Sequence, residues 1–193
     1  MTYSEAKKTI LKWLKDRDFQ KHVSPDTKGN NCYKHFMGEF YTYIDFYKDR
    51  FSERILFNAG CYFDCEHGYA TTRVYNLPSS PPHTYHKGLS QGIYYEEISE
   101  EILIRCLNEM FDKYLKPYYE QGTKYLKTIL VKEKTLFKED YYHISGGARD
   151  KINKMFGLNI QYDPSNKSSR FLIELLVVLL IAVLVALVNF VTK

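Results

Sequence analysis

The sequence predicts an α+β domain, an antiparallel sheet of four or five strands with helices packed on one face, followed by one C-terminal transmembrane helix. Three observations carry this. Two runs dense in β-formers, Phe40–Tyr47 and Arg54–Phe63, are joined by the short turn Lys48–Arg50. Leu103, Cys106, Leu107, Met110, Phe111, Tyr114 and Leu115 recur at helical spacing. From Leu175 to Val188 every residue is Leu, Val, Ile or Ala.

Taken in order, Ser4 is placed to cap a first helix, with Ala6, Ile10, Trp13 and Leu14 on one face and an end near Asp16. Residues 24–31 are turn chemistry throughout. Cys32–Met37 is a short strand turned by Gly38 and Glu39. Phe40–Tyr47 follows, with Phe40, Thr42, Ile44 and Phe46 as its core face and Tyr41, Tyr43, Asp45 and Tyr47 as a wettable one. Arg54–Phe63 completes an antiparallel meander. Thr71–Tyr75 is a candidate fourth strand and Gln91–Tyr95 an edge strand, separated by a proline loop at 77–82. Ser99 caps the striped helix, whose mid-stripe residues Leu107 and Phe111 are expected in the core, and Pro117 breaks it. A helical segment at Thr123–Val131 and a short helix from about Ala148 to Phe156, closed by Gly157, end the domain. The expected organisation is a domain over 1–158, a polar juxtamembrane linker over 159–170 and a membrane helix over 171–191.

As a helix, Phe171–Val191 spans about 30 Å, the thickness of a bilayer core. No Pro, Gly, Lys or Arg interrupts it, and its polar residues, Glu174 and Asn189, lie in the end turns where they cost least. Lys151, Lys154, Lys167 and Arg170 precede it and Lys193 follows, so the positive-inside rule keeps residues 1–170 in the cytosol. The expected partner of Phe171–Val191 is the lipid bilayer, and the expected architecture is a tail-anchored, single-pass membrane protein. Arg170 and Glu174 are spaced to pair on one helix face.

The net charge of +4, with acids and bases mixed, makes no case for nucleic acid by itself. The 18 tyrosines and 12 phenylalanines imply an aromatic core and an aromatic surface. The N-terminal stretch has no apolar signal-peptide region. Cys32, Cys61, Cys65 and Cys106 lack the spacing of a disulfide framework, so in a cytosolic domain they are expected as free thiols.

Several short stretches together resemble a bacterial family of unknown function, the DUF-four-three-zero-four type. They are Lys15-Asp-Arg-Asp-Phe19, similar to that family's "Leu-x-x-x-Gly-Phe"; Tyr43-Ile-Asp-Phe46 with Ile55-Leu-Phe-Asn-Ala-Gly60; Leu115-Lys-Pro-Tyr-Tyr119; and Lys134-Thr-Leu-Phe137 with Ala148-Arg-Asp-Lys-Ile152. The resemblance covers roughly Ser4 to Asn159. It departs from the family over Asp64–Tyr94 and in the apolar tail, and it implies a fold but no chemistry.

No complete catalytic motif is present, which argues against an enzyme, and no cofactor is implied. Tyr41, Tyr43 and Tyr47 are the candidate ligand or partner surface, since aromatic rings bearing hydroxyls suit stacking and hydrogen bonding together. Gly146, Gly147 and Arg149 open a helix and are a candidate anion site, although the loop lacks phosphate-loop spacing and its lysine. Cys61, Cys65 and His67, with His83, His86 or Cys32 as a fourth ligand, form the alternative zinc set. It is not favoured, because a strand residue at i and a turn residue at i+4 chelate poorly. Cys61 or Cys65 with His67 or His86 is a candidate Cys–His pair for a thiol nucleophile, with nothing to place a third, orienting group. Asp45, Glu39, Asp64 and Glu66 are candidate clustered carboxylates. The expected function is a membrane-tethered module presenting a ligand- or protein-binding domain. The alternatives are a tethered hydrolase using zinc or a thiol at Cys61, Cys65 and His67, and a membrane-active effector or self-associating membrane partner.

Overall fold

The structure, a computed structural model, describes residues 1–23, 31–75, 77–80, 92–133 and 142–161. Its centre is an antiparallel sheet of seven strands: β1 (Gln20–Lys21), β2 (Asn31–Phe36), β3 (Tyr41–Lys48), β4 (Arg54–Tyr62), β5 (Tyr69–Arg73), β6 (Ile93–Tyr94) and β7 (His143–Ile144). The order is β1-β2-β3-β4-β5-β7, and β6 pairs with the start of β4 beyond the end of β5. The expectation of four or five strands is therefore corrected to seven. The two additional strands, β1 and β7, are two residues each and too short to show any alternation.

The helices are α1 (Tyr3–Lys15), α2 (Glu100–Tyr114), α3 (Lys116–Gln121), α4 (Lys124–Lys132) and α5 (Gly146–Phe156). α1 begins two residues earlier than a Ser4 cap would place it. Thr2 is the cap, and its hydroxyl and backbone exchange hydrogen bonds with Glu5 in a capping box. α2 is capped by Ser99 as the sequence indicates. It stops at Leu115, and Pro117 opens α3, where a missing N–H costs nothing. α5 ends on Gly157 in the left-handed region at φ 60.

Strand alternation decides what faces the helices. Ile44 and Phe46 of β3 and Ile55, Phe57 and Ala59 of β4 pack with Ile10, Trp13 and Leu14 of α1 and Leu103, Cys106, Leu107 and Met110 of α2. On the same face Tyr118 of α3 meets Phe40, with ring centroids 5.8 Å apart, and Tyr125 of α4, at 4.8 Å. α1 to α4 thus cover one face of the sheet. Leu107 is fully buried, as expected. Phe111 is only partly buried and lies at the side of the stripe against Trp13 and Tyr119, whereas Tyr114 and Leu115 beyond it are buried in the core.

Residues Met1–Leu158 form one compact unit and Asn159–Lys193 a second. No helix among the described residues is long and apolar enough to cross a membrane. The 171–191 run, with Glu174 and Asn189, lies outside the described residues.

Candidate functional site

The other face of the sheet carries Tyr41, Tyr43, Asp45 and Tyr47, and none of α1 to α4 packs on it. Register assembles its polar centre. Cys32 of β2 stands opposite Asp45 of β3, Asp45 opposite Asn58 of β4, and Asn58 opposite Arg73 of β5. Directly opposed residues share a face, so the four side chains form one row across four strands. Asn58 Nδ2 donates to Asp45 Oδ1 at 2.7 Å, and Arg73 Nε donates to Asn58 Oδ1 at 3.0 Å. The Arg73 guanidinium lies 5.6 Å from the Tyr47 ring. Beside the row, Gly60 leaves a gap in the side-chain layer; a Cβ there would collide with the Ala70 carbonyl.

Burial is the strongest influence on the Asp45 carboxyl and raises it from 3.8 to about 6, against the opposing pull of the Asn58 hydrogen bond and of Arg73. Asp45 as a whole is only partly covered, so it is the carboxyl that is crowded rather than the entire side chain. Tyr43 is 5% exposed, and burial, with the Asp45 charge next, holds its hydroxyl well above the usual tyrosine range. Tyr41 and Tyr47 are half-buried. His22 completes this end of the face. Its ring lies 4.5 Å from Tyr62 and 6.1 Å from Tyr43, and its Nε2 has no hydrogen-bond partner. Burial, then the Lys34 charge, lowers the His22 pKa against the pull of Asp64. His22 is 7% exposed.

The raised Asp45 pKa has a measurable consequence. A fold that binds a proton more tightly than the unfolded chain loses stability as pH rises through that interval, here from about 4 to about 6. Asp45→Asn keeps a hydrogen-bonding partner for Asn58 and removes the charge. The variant is expected to gain up to about 3 kcal/mol on the wild type between pH 4 and pH 7. Denaturant unfolding at both pH values measures it, and parallel behaviour of the two proteins would contradict the geometry.

The remaining candidates are placed as follows. Cys61 is fully buried on the helix-facing side beside the Tyr118 hydroxyl, and burial pushes its thiol up to about 12. At neutral pH it is a protonated core thiol rather than a nucleophile. Cys65 and His67 lie on the β4–β5 turn, His67 exposed and 3.7 Å from Glu66. His83 and His86 lie outside the described residues. Among the described residues no group of three or more His, Cys, Asp or Glu stands close enough to hold a metal ion. Asp45 is mid-strand, whereas Glu39 sits in the β2–β3 turn and Asp64 and Glu66 in the β4–β5 turn.

At the start of α5, Ser145 hydroxyl donates to the His67 and Tyr69 carbonyls, and the Ala148 amide donates to the His67 carbonyl at 3.2 Å. Gly147 is packed so tightly on this turn that a Cβ would strike the Glu66 carbonyl. Arg149 donates to Glu133 Oε1 at 2.6 Å. Gly147 therefore packs on the β4–β5 turn and Arg149 ties α5 to Glu133 at the end of α4, whereas a Cβ at Gly146 would meet nothing.

The sequence points to Tyr41, Tyr43, Tyr47 and Asp45 by alternation along one strand. It misses Asn58, Arg73, His22 and Lys34, which reach this face from other strands. Alternation along Arg54–Phe63 puts Asn58 out of phase with the apolar set, which is the one local signal for it.

A scan against family models, a search of curated proteins and a search of solved structures each returned no match.

Proposed function

We propose that this chain is a membrane-anchored binding module. The 171–191 segment spans a bilayer, and the α+β domain presents the open sheet face, on the cytosolic side, to a ligand or protein partner. The observation that carries the binding half is the Cys32–Asp45–Asn58–Arg73 row. A carboxyl that burial holds near 6 does nothing for the stability of a domain at neutral pH. Polar groups hydrogen-bonded into a fixed plane beneath tyrosine rings are what a recognition surface needs. The membrane half is supported by the apolar run and the distribution of Lys and Arg around it.

Fractionation tests the anchoring. The full chain should remain with membranes through alkaline extraction, and deletion of residues 171–191 should release the domain. A full chain that extracts as readily as the deletion variant would overturn the anchor. Digestion of the domain by protease added outside intact cells would overturn its orientation.

A further inference from the structure

We propose that the aromatic belt beside the polar row binds single-stranded nucleic acid, an inference that rests on the open face being a binding surface and names its ligand class. The belt is built by register. Phe36 stands opposite Tyr41, Tyr41 opposite Tyr62, and Tyr62 opposite Tyr69, so four rings from β2 to β5 share this face in one line. Ring centroids are 5.1 Å apart from Phe36 to Tyr41 and 6.1 Å apart from Tyr41 to Tyr62. Phe36 is 59% exposed, and the three tyrosines are partly buried. At about 4.8 Å per strand the belt is about 14 Å wide. That suits the two or three bases that sheet-borne aromatics stack in RNA-binding domains.

Charge selects among occupants. The Lys34 ammonium lies 4.1 Å from the Tyr41 centroid and 5.2 Å from that of Tyr62, at the middle of the rings. Arg73 lies on the same face but about 13 Å along β5 from Tyr69, in the polar row. In the strands of this face the acid is Asp45, tied to Asn58, while Glu39, Asp64 and Glu66 lie in the turns at the belt's end of the sheet. A lysine at the centre of an aromatic patch is disfavoured in protein–protein interfaces, whose cores exclude it. It suits a phosphate backbone running past stacked bases. A bilayer surface would call for several inserting apolar side chains, and Phe36 is the one belt residue that projects. The overall charge of +4 does not reveal this, because Lys34 is brought beside Tyr41 and Tyr62 only by strand pairing.

The test uses the full chain in nanodiscs of neutral lipid, titrated into fluorescein-labelled twelve-nucleotide oligo-uridine and oligo-thymidine. Anisotropy should report saturable binding. With one phosphate neutralised by Lys34, affinity should fall about 2.6-fold between about 50 mM and about 200 mM salt. Phe36→Ala and Lys34→Gln change side chains outside the core and keep the domain folded, as melting curves would verify. Each should weaken binding about fivefold or more, as should Tyr41→Ala. Lys8→Ala on α1, on the helix-covered side, should change nothing. Absence of binding at the lower salt would overturn the proposal, and so would binding that survives Phe36→Ala and Lys34→Gln or that anionic vesicles abolish. Tyrosine protection in native membranes separates the two readings. A protected face that ignores oligonucleotides retires nucleic acid alone, and an unprotected face retires the binding surface itself.

Discussion

Phe57→Ala is expected to destabilise the domain by about 3–5 kcal/mol. Phe57 is fully buried at the middle of β4, the strand that pairs with β3, β5 and β6. Its ring meets Phe46 with centroids 5.8 Å apart, and both belong to the core beneath α1 and α2. Its backbone carbonyl accepts from Val74, so the strand is held on both edges and cannot shift to fill the void. A typical domain has about 5–15 kcal/mol of stability in all, so the variant should unfold at much lower denaturant. A cost under about 1 kcal/mol would mean that the sheet does not pack on these helices.

Arg149→Met is expected to cost about 3–5 kcal/mol for a different reason. The Arg149 side chain is 7% exposed and that of its partner Glu133 is 15% exposed, with 2.6 Å between them. Removing the cation leaves the carboxylate partly desolvated and uncompensated. The paired variant Arg149→Met with Glu133→Leu removes both charges, and it should recover most of the loss. A double-mutant cycle by denaturant unfolding measures the coupling. A single variant costing less than about 1 kcal/mol would place the pair among surface ion pairs.

Arg149 also shows where the sequence misleads. A glycine pair followed by arginine at a helix start reads as an anion site, since exposed amides and a cation are what anions seek. The amide of Ala148 and the guanidinium instead answer the His67 carbonyl and Glu133, which are distant in sequence. Features written at one local period were legible: the α2 stripe with its Ser99 cap, the two long strands, and the side of β3 that faces the core. Phe111 falls short of the core, although Tyr114 and Leu115 beyond it are buried, because periodicity gives the direction of a helix face but not how wide a stripe its neighbours cover. β1 and β7 were invisible because two residues carry no period. The polar row was legible only at Asp45. Asn58 and Arg73 join it through pairing register, which depends on turns and partners across the whole sheet.

Occupation of the open face is most directly measured by tyrosine nitration, comparing the chain in native membranes with the same chain purified in detergent. Tyr119 of α3, on the helix-covered side and 37% exposed, supplies the internal reference. If the face is a binding surface, Tyr41, Tyr62 and Tyr69 should react several-fold more slowly in native membranes while Tyr119 reacts at the same rate in both. Equal rates for all four tyrosines in the two preparations would contradict the account.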